Sequence, residues 1–195
     1  MRRFFFGLLL LLSWSQAGAE QTQVATWSLL PEASRLEFQF AQAGSDETGG
    51  FRQFQADFRF DPDRLEQSGI DVIVDMTSVE TGDSERDQIL RSADLFDVKR
   101  WPEARFKTTS ITRREGNRYL AQAELTIRDQ TRQIPFPFTL EISEKTGQEG
   151  QAVFRLTAEV PLKRLDFGVG KGDWAETTWI SNEVLVQVDV QAQKQ

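Results

Sequence analysis

Cysteine and histidine are both missing from these 195 residues, and tyrosine occurs once. Without cysteine no disulfide can staple the fold, so its stability has to come from a packed interior. Without either residue the chain cannot build a Ser-His-Asp or Cys-His nucleophile, nor a zinc site of the usual His or Cys kind. Basic charge is also in short supply, with 23 Lys+Arg against 30 Asp+Glu. An acidic surface disfavours nucleic acid and anionic lipid surfaces as partners. What the chain has instead is phenylalanine, 15 of them, with 5 tryptophans. Phe carries no polar handle, so this supply suits a dry interior.

The N-terminus reads as an export signal. Arg2 and Arg3 precede an apolar run from Phe4 to Leu12, and Ala17-Gly18-Ala19 offers a small-residue cleavage site. The run is shorter than the about 20 residues a spanning helix needs. No cysteine follows it for lipid attachment. Residues 1–19 are therefore expected to be a cleaved signal peptide and residues 20–195 a single domain. Losing Arg2 and Arg3 leaves 21 − 30 = −9.

From there the chain alternates with period 2, as half-buried strands do. Leu36, Phe38 and Phe40 share one face, and residues 41–50 read as a polar connection. Phe54, Ala56, Phe58 and Phe60 form the next row, ended by Asp61-Pro62-Asp63. Ile70, Val72, Val74 and Met76 follow. Beyond residue 106 the rows are Tyr119 to Ile127, Ile134 to Ile142, Ala152 to Leu162 and Val184 to Val190. Arg128 to Thr131 reads as a hairpin with Asp129 in the left-handed region, and residues 145–150 as a turn. Pro135 and Pro137 place their strand at an edge or a bulge. Long alternating strands, short turns and one helix predict an all-β antiparallel barrel or sandwich. The inward rows mix Phe with Ala56, Ala121, Ala123 and Ala158. That mixture fits a jigsaw core, and equally a narrow cavity floored by alanines and walled by phenylalanines.

The period lengthens between Thr77 and Phe106. Ile89, Leu90, Ala93 and Phe96 gather on one side of a helix, Ser84 and Asp87 resemble a capping box, and Arg91 suits the C-terminal turn. Trp101-Pro102 then restarts extended chain. The expectation is a short helix and an aromatic plug that close one end of the β-structure.

Two stretches invite a chemical reading. Gly168, Gly170 and Gly172 lack the Gly-Lys-Ser/Thr ending and the parallel-sheet setting of a phosphate loop, so a tight turn is expected. Arg86-Asp87, with Glu85, Asp94 and Asp97, reads as structural ion pairing rather than acid-base chemistry. No catalytic residue and no metal ligand is assigned.

The ordered series Ser78, Thr81-Gly82, Arg86-Asp87, Leu90-Arg91-Ser92, Asp94, Phe96-Asp97, Trp101-Pro102, Ala104 and Phe106 resembles the YceI family of exported bacterial proteins. Phe38, Gly50-Phe51, Phe54, Phe58 and Phe60-Asp61-Pro62 fit its early part. Leu125-Thr126-Ile127, Thr131 and Asp166-Phe167-Gly168 fit its later part. The resemblance covers nearly all of the mature chain. The family commonly has a histidine where this chain has Gln42, and glycines at Ala123 and Asp129.

The resemblance implies a lipocalin-like extended barrel of about eight strands with one helix near the mouth. It further implies a periplasmic carrier holding a polyprenyl lipid or isoprenoid quinone, with no other cofactor. On that basis the expected ligand contacts are Phe38, Phe40, Phe58, Val72, Val74, Met76, Leu90, Phe96, Ala123 and Leu125. Two other readings stay open. One is a module docking on a membrane b-type cytochrome through Val169 and Trp174, as the GVGKGDW loop suggests. The other is a lipid-modifying enzyme using Asp87 or Asp94. A homodimer is also open.

Overall fold

The structure, a computed structural model, describes residues 24–144 and 150–195. The expected signal peptide, and all of the expected 145–150 turn except Gly150, lie outside the described residues. The described strands are β1 (Thr26–Leu29), β2 (Arg35–Gln42), β3 (Ser45–Phe51), β4 (Phe54–Arg59), β5 (Gly69–Asp75) and β6 (Val79–Glu80). After helix α1 (Ser84–Arg91) come β7 (Glu103–Arg113), β8 (Arg118–Ile127), β9 (Gln130–Ser143), β10 (Val153–Lys163) and β11 (Ile180–Lys194).

Eight antiparallel strands close on themselves in the order β1-β4-β5-β7-β8-β9-β10-β11, with β1 returning to β11. The expected barrel is therefore present. On one side of β11 the C-terminal residues 192–194 face β1. Beyond the short turn at Pro31–Ala33, β2 takes over and faces residues 180–189. β3 and then β6 extend the sheet from β2. The barrel is thus sealed by β1 at one end, while at the other the β2-β3-β6 flap leads directly into α1.

Several local expectations are corrected. Residues 41–50 are not a loop: Ser45–Phe51 pair with β2 across a turn at Ala43-Gly44. The alternation is missing there because Ser45 to Thr48 are all polar and Gly49 and Gly50 carry no side chain. A Cβ at 49 would stand 2.5 Å from the Phe38 ring. In the β8–β9 hairpin the left-handed residue is Arg128 (φ 57), not Asp129. Strand β9 is internal, between β8 and β10. Its ladder to β10 nevertheless ends at Phe138, so Pro135 and Pro137 fall where β9 is paired with β8 alone. Ile142, expected inside, is 40% exposed past the barrel's end.

The interior is graded along its axis. At the β1 end it is filled. Phe154 packs against Trp27 and Phe58, each at 5.0 Å between centroids, while Tyr119 packs against Phe60 and Phe138 at 5.3 Å. Ala121, Ala123 and Ala192 are fully buried among them. Fully burying one such large side chain is worth about 1.5–3 kcal/mol. The alanines make room for the rings, which is jigsaw packing.

Candidate ligand cavity

Towards the flap end the same strands diverge around a cavity of about 480 Å³. Its wall is the continuation of the inward rows: Phe38 and Phe40 from β2, Phe54 and Ala56 from β4, Val72 and Val74 from β5, Phe106 from β7, Phe136 from β9, and Val184 to Val188 from β11. Nearly all of this surface is hydrocarbon, with polar groups only near the mouth.

Helix α1 lies across that mouth with Ile89 and Leu90 turned inward, and Leu95 and Phe96 continue the apolar cover. Its cap is Asp83 rather than Ser84: the Asp83 carboxylate accepts from the amides of Glu85 (2.9 Å) and Arg86 (3.1 Å). Those bonds hold the carboxyl below the ordinary aspartate range. The helix stops at Arg91, so Ala93 is exposed outside it and Leu95 is the buried residue. Asp87 serves as an anchor, its Oδ1 accepting from the amide (2.8 Å) and hydroxyl (2.8 Å) of Thr81. Arg91 donates to the carbonyls of Thr77 (2.9 Å) and Val79 (2.5 Å). Arg86 pairs with Glu47 of β3 at 2.7 Å. The helix is tied to the flap at four points.

The second wall of the mouth is the 164–180 segment. Arg164 is buried, 8% exposed, and no carboxylate pairs with it among the described residues. Its guanidinium donates five hydrogen bonds to carbonyl oxygens: Ser181 (3.0 Å), Val169 (2.9 Å), Trp174 (2.7 Å), Glu176 (3.3 Å) and Ile180 (3.2 Å). Burial pushes its pKa down, as desolvation does to any cation. The glycine-rich loop is therefore a cage around a cation, not a phosphate cradle. Gly170, at φ 118, is the closest point of that wrap.

Trp101 does not plug the barrel. The Arg100 and Arg128 guanidinium groups lie 4.6 and 4.7 Å from its ring centroid. Arg128 also donates to the carbonyls of Leu95 and Gly168 (2.8 Å), linking the segment after α1 to the caged loop.

Of the ten residues expected at a ligand, Phe38, Phe40, Phe58, Val72, Val74, Met76, Leu90, Phe96 and Leu125 line this one cavity. Ala123 does not: it is fully buried at the filled end, paired with Thr108 and Ile134. Among the alanines expected at the cavity floor, only Ala56 is on its wall. Arg164, Gln42 and the β11 valines were not singled out as wall residues. The valines were legible as an inward row, whereas nothing in the local sequence marks Arg164. Val169, offered as part of a docking patch, is buried, and Trp174 faces the cavity; Trp179 is the exposed aromatic of this segment, at 69%. Asp94, offered as an acid-base group, is exposed, and its backbone carbonyl accepts from Gly170 and Lys171.

This barrel has known counterparts. The sequence profile of the YceI-like domain matches residues 27–192. The chain belongs to the YceI-like family. A UPF0312 protein of Photorhabdus laumondii is 30% identical over 125 residues, 64% of this chain and 65% of that protein. The match thus spans slightly less than two thirds of that relative's length. Among solved structures, BcnA of Burkholderia cenocepacia is 25% identical with a TM-score of 0.78, covering 84% of this chain and 98% of that one. A polyisoprenoid-binding domain of Saccharophagus degradans, implicated in plant cell wall breakdown, shares the fold at 17% identity. Its TM-score is 0.67, with coverage of 88% of this chain and 99% of that one. The chain shares this barrel fold, and its interior is part packed core and part cavity.

Proposed function

We propose that this YceI-like chain is an exported carrier or store for a long apolar isoprenoid lipid, of polyprenyl or quinone type, held in the barrel with its tail towards the filled end. The observation that carries the reading is the graded interior. A barrel built only for stability would fill throughout, whereas here the rings around Phe154 fill one end and beyond Phe58 the rings, Phe38, Phe40, Phe106 and Phe136 among them, line an apolar wall around open space. Such a wall offers burial, at roughly 25 cal/mol per Å² of apolar surface, and its carboxylates, Asp83 and Glu85, stand only at the rim. Catalysis is not part of this function. The polyisoprenoid-binding neighbour supports the same ligand class. A cleaved signal ending near Ala19 would deliver the chain to the periplasm, where an apolar lipid needs a protein to cross water.

The test is gentle purification from a periplasmic extract, organic extraction and mass spectrometry. The expected result is a stoichiometric isoprenoid lipid and a mature N-terminus at or near Glu20. Extracts free of lipid, with the protein folded, overturn the ligand; a retained Met1 overturns the export.

A further inference from the structure

The polar groups on the cavity wall are few, and their commitments can be followed one by one. Arg86 is held by Glu47 at 2.7 Å. Arg164 has five N–H groups, and all five point at backbone carbonyls. Asp83 caps α1, and the Glu85 carboxylate stands beside it at the rim. Every cation on the wall is thus already engaged, and two carboxylates flank the entrance. A diphosphate or phosphate entering here would find no free N–H fork to bind it and would meet negative charge.

One buried neutral polar side chain on the wall is uncommitted. Gln42, the last residue of β2, lines the cavity, and its Oε1 is shut off from solvent without a hydrogen-bond partner. Its side chain makes no hydrogen bond among the described residues. It sits opposite Ile180, at the bulged start of β11, the same residue whose carbonyl accepts from Arg164. A buried amide oxygen left unpaired is costly, and such a group in a native fold calls for a partner. The terminal amide torsion of glutamine is soft and roughly two-fold, so either its carbonyl or its NH₂ can be turned to the cavity.

We infer that Gln42 is the head-group contact of this cavity, and that the head group it takes is a neutral hydroxyl, as in a polyprenol or a hydroquinone, rather than a phosphate. The inference rests on the lipid-carrier reading and adds the polar end to it. A hydroxyl both donates and accepts, so it satisfies the amide in either orientation. The caged Arg164 charge nearby favours the oxygen end of that dipole without supplying a competing hydrogen bond.

The experiment measures displacement of a fluorescent fatty acid from the full mature protein by three C20 isoprenoid probes: the alcohol geranylgeraniol, its diphosphate, and the branched C20 hydrocarbon phytane. Wild type is expected to bind the alcohol about fivefold more tightly than the hydrocarbon, the size of one neutral hydrogen bond, and more tightly than the diphosphate. Gln42→Leu is expected to bind alcohol and hydrocarbon within about twofold of each other. Its melting temperature without ligand should be no lower than that of wild type, since an orphaned acceptor has been removed. Diphosphate binding as tightly as the alcohol overturns the inference. So does an alcohol preference that survives in a folded Gln42→Leu, or a Gln42→Leu variant that melts markedly lower. Retained binding with no head-group preference sinks the Gln42 assignment alone; no displacement by any probe sinks the carrier reading with it.

Discussion

A Cβ on residue 170 would overlap Nη1 of Arg164 and stand 2.7 Å from the Trp174 carbonyl oxygen that the same guanidinium holds. Glycine is required there twice over, for that approach and for its φ of 118. The cage is one unit: the loop carbonyls replace water around a cation that burial would otherwise expel.

Gly170→Ala should therefore destabilise by about 1–3 kcal/mol from backbone strain alone, with the clash added. Arg164→Lys should loosen the same loop, because three ammonium donors cannot reach five carbonyls. Thermal melts and limited proteolysis read both. Cleavage within 168–180 should rise in each variant, and an unchanged proteolytic pattern in Arg164→Lys would remove the cage from the account.

The graded interior predicts unequal costs for equal truncations. Phe154→Ala, at the filled end between Trp27 and Phe58, should cost about 3–5 kcal/mol. Phe40→Ala, on the cavity wall, should cost clearly less, because it widens a space that already exists. Urea denaturation of the two variants without ligand decides it.

Filling the cavity should separate binding from stability. Val186→Phe places extra carbon into open space, so lipid content should fall sharply while the melting temperature holds. Ala123→Phe inserts a ring where no space remains, costing typically about 1–3 kcal/mol or more in overpacking. Its folded fraction should keep its lipid. Lipid quantification on refolded, loaded protein distinguishes the two.

The alternation of apolar residues made the barrel legible because strand parity is strict: Phe38, Val72, Leu125 and Val186 all face inward as the rows predict. Parity says which face a residue occupies but not how far along the axis it lies. Ala123 and Leu125 share a face, two residues apart, and one belongs to the core while the other walls the cavity. Depth is set by register between distant strands, which no local pattern records. The flap strand β3 was hidden for a different reason, since its residues 45–48 are all polar and 49 and 50 are glycines, leaving no apolar row before Phe51. Arg164 was hidden because its partners are backbone carbonyls, and these leave no signature in side-chain identity.

The last prediction concerns the lid and acid. The Asp83 carboxylate is held below the ordinary aspartate range chiefly by the amide of Arg86, then by that of Glu85, with a smaller pull from the Arg86 charge. A carboxyl that is a stronger acid in the folded protein contributes its stabilisation at pH values above its unfolded value, near 4. That contribution disappears as the pH falls through the depressed folded value. The cap should thus be intact at neutral pH and weaken progressively as the pH falls below about 5. Asp61 and Asp189 are also held low, by the Asp63 amide and by the Arg155 hydrogen bonds respectively, so the whole barrel weakens in the same direction. A local readout is needed to see the lid alone. Protection of the Glu85 and Arg86 amides against hydrogen exchange, taken relative to that of Phe154, should drop between pH 5 and about pH 3. Asp83→Asn keeps an N-cap acceptor without a titrating proton, so its relative protection should stay flat over that range. Asp83→Ala should show the frayed value at every pH. Parallel curves for wild type and Asp83→Asn would mean that the acid response belongs to the barrel and not to this cap.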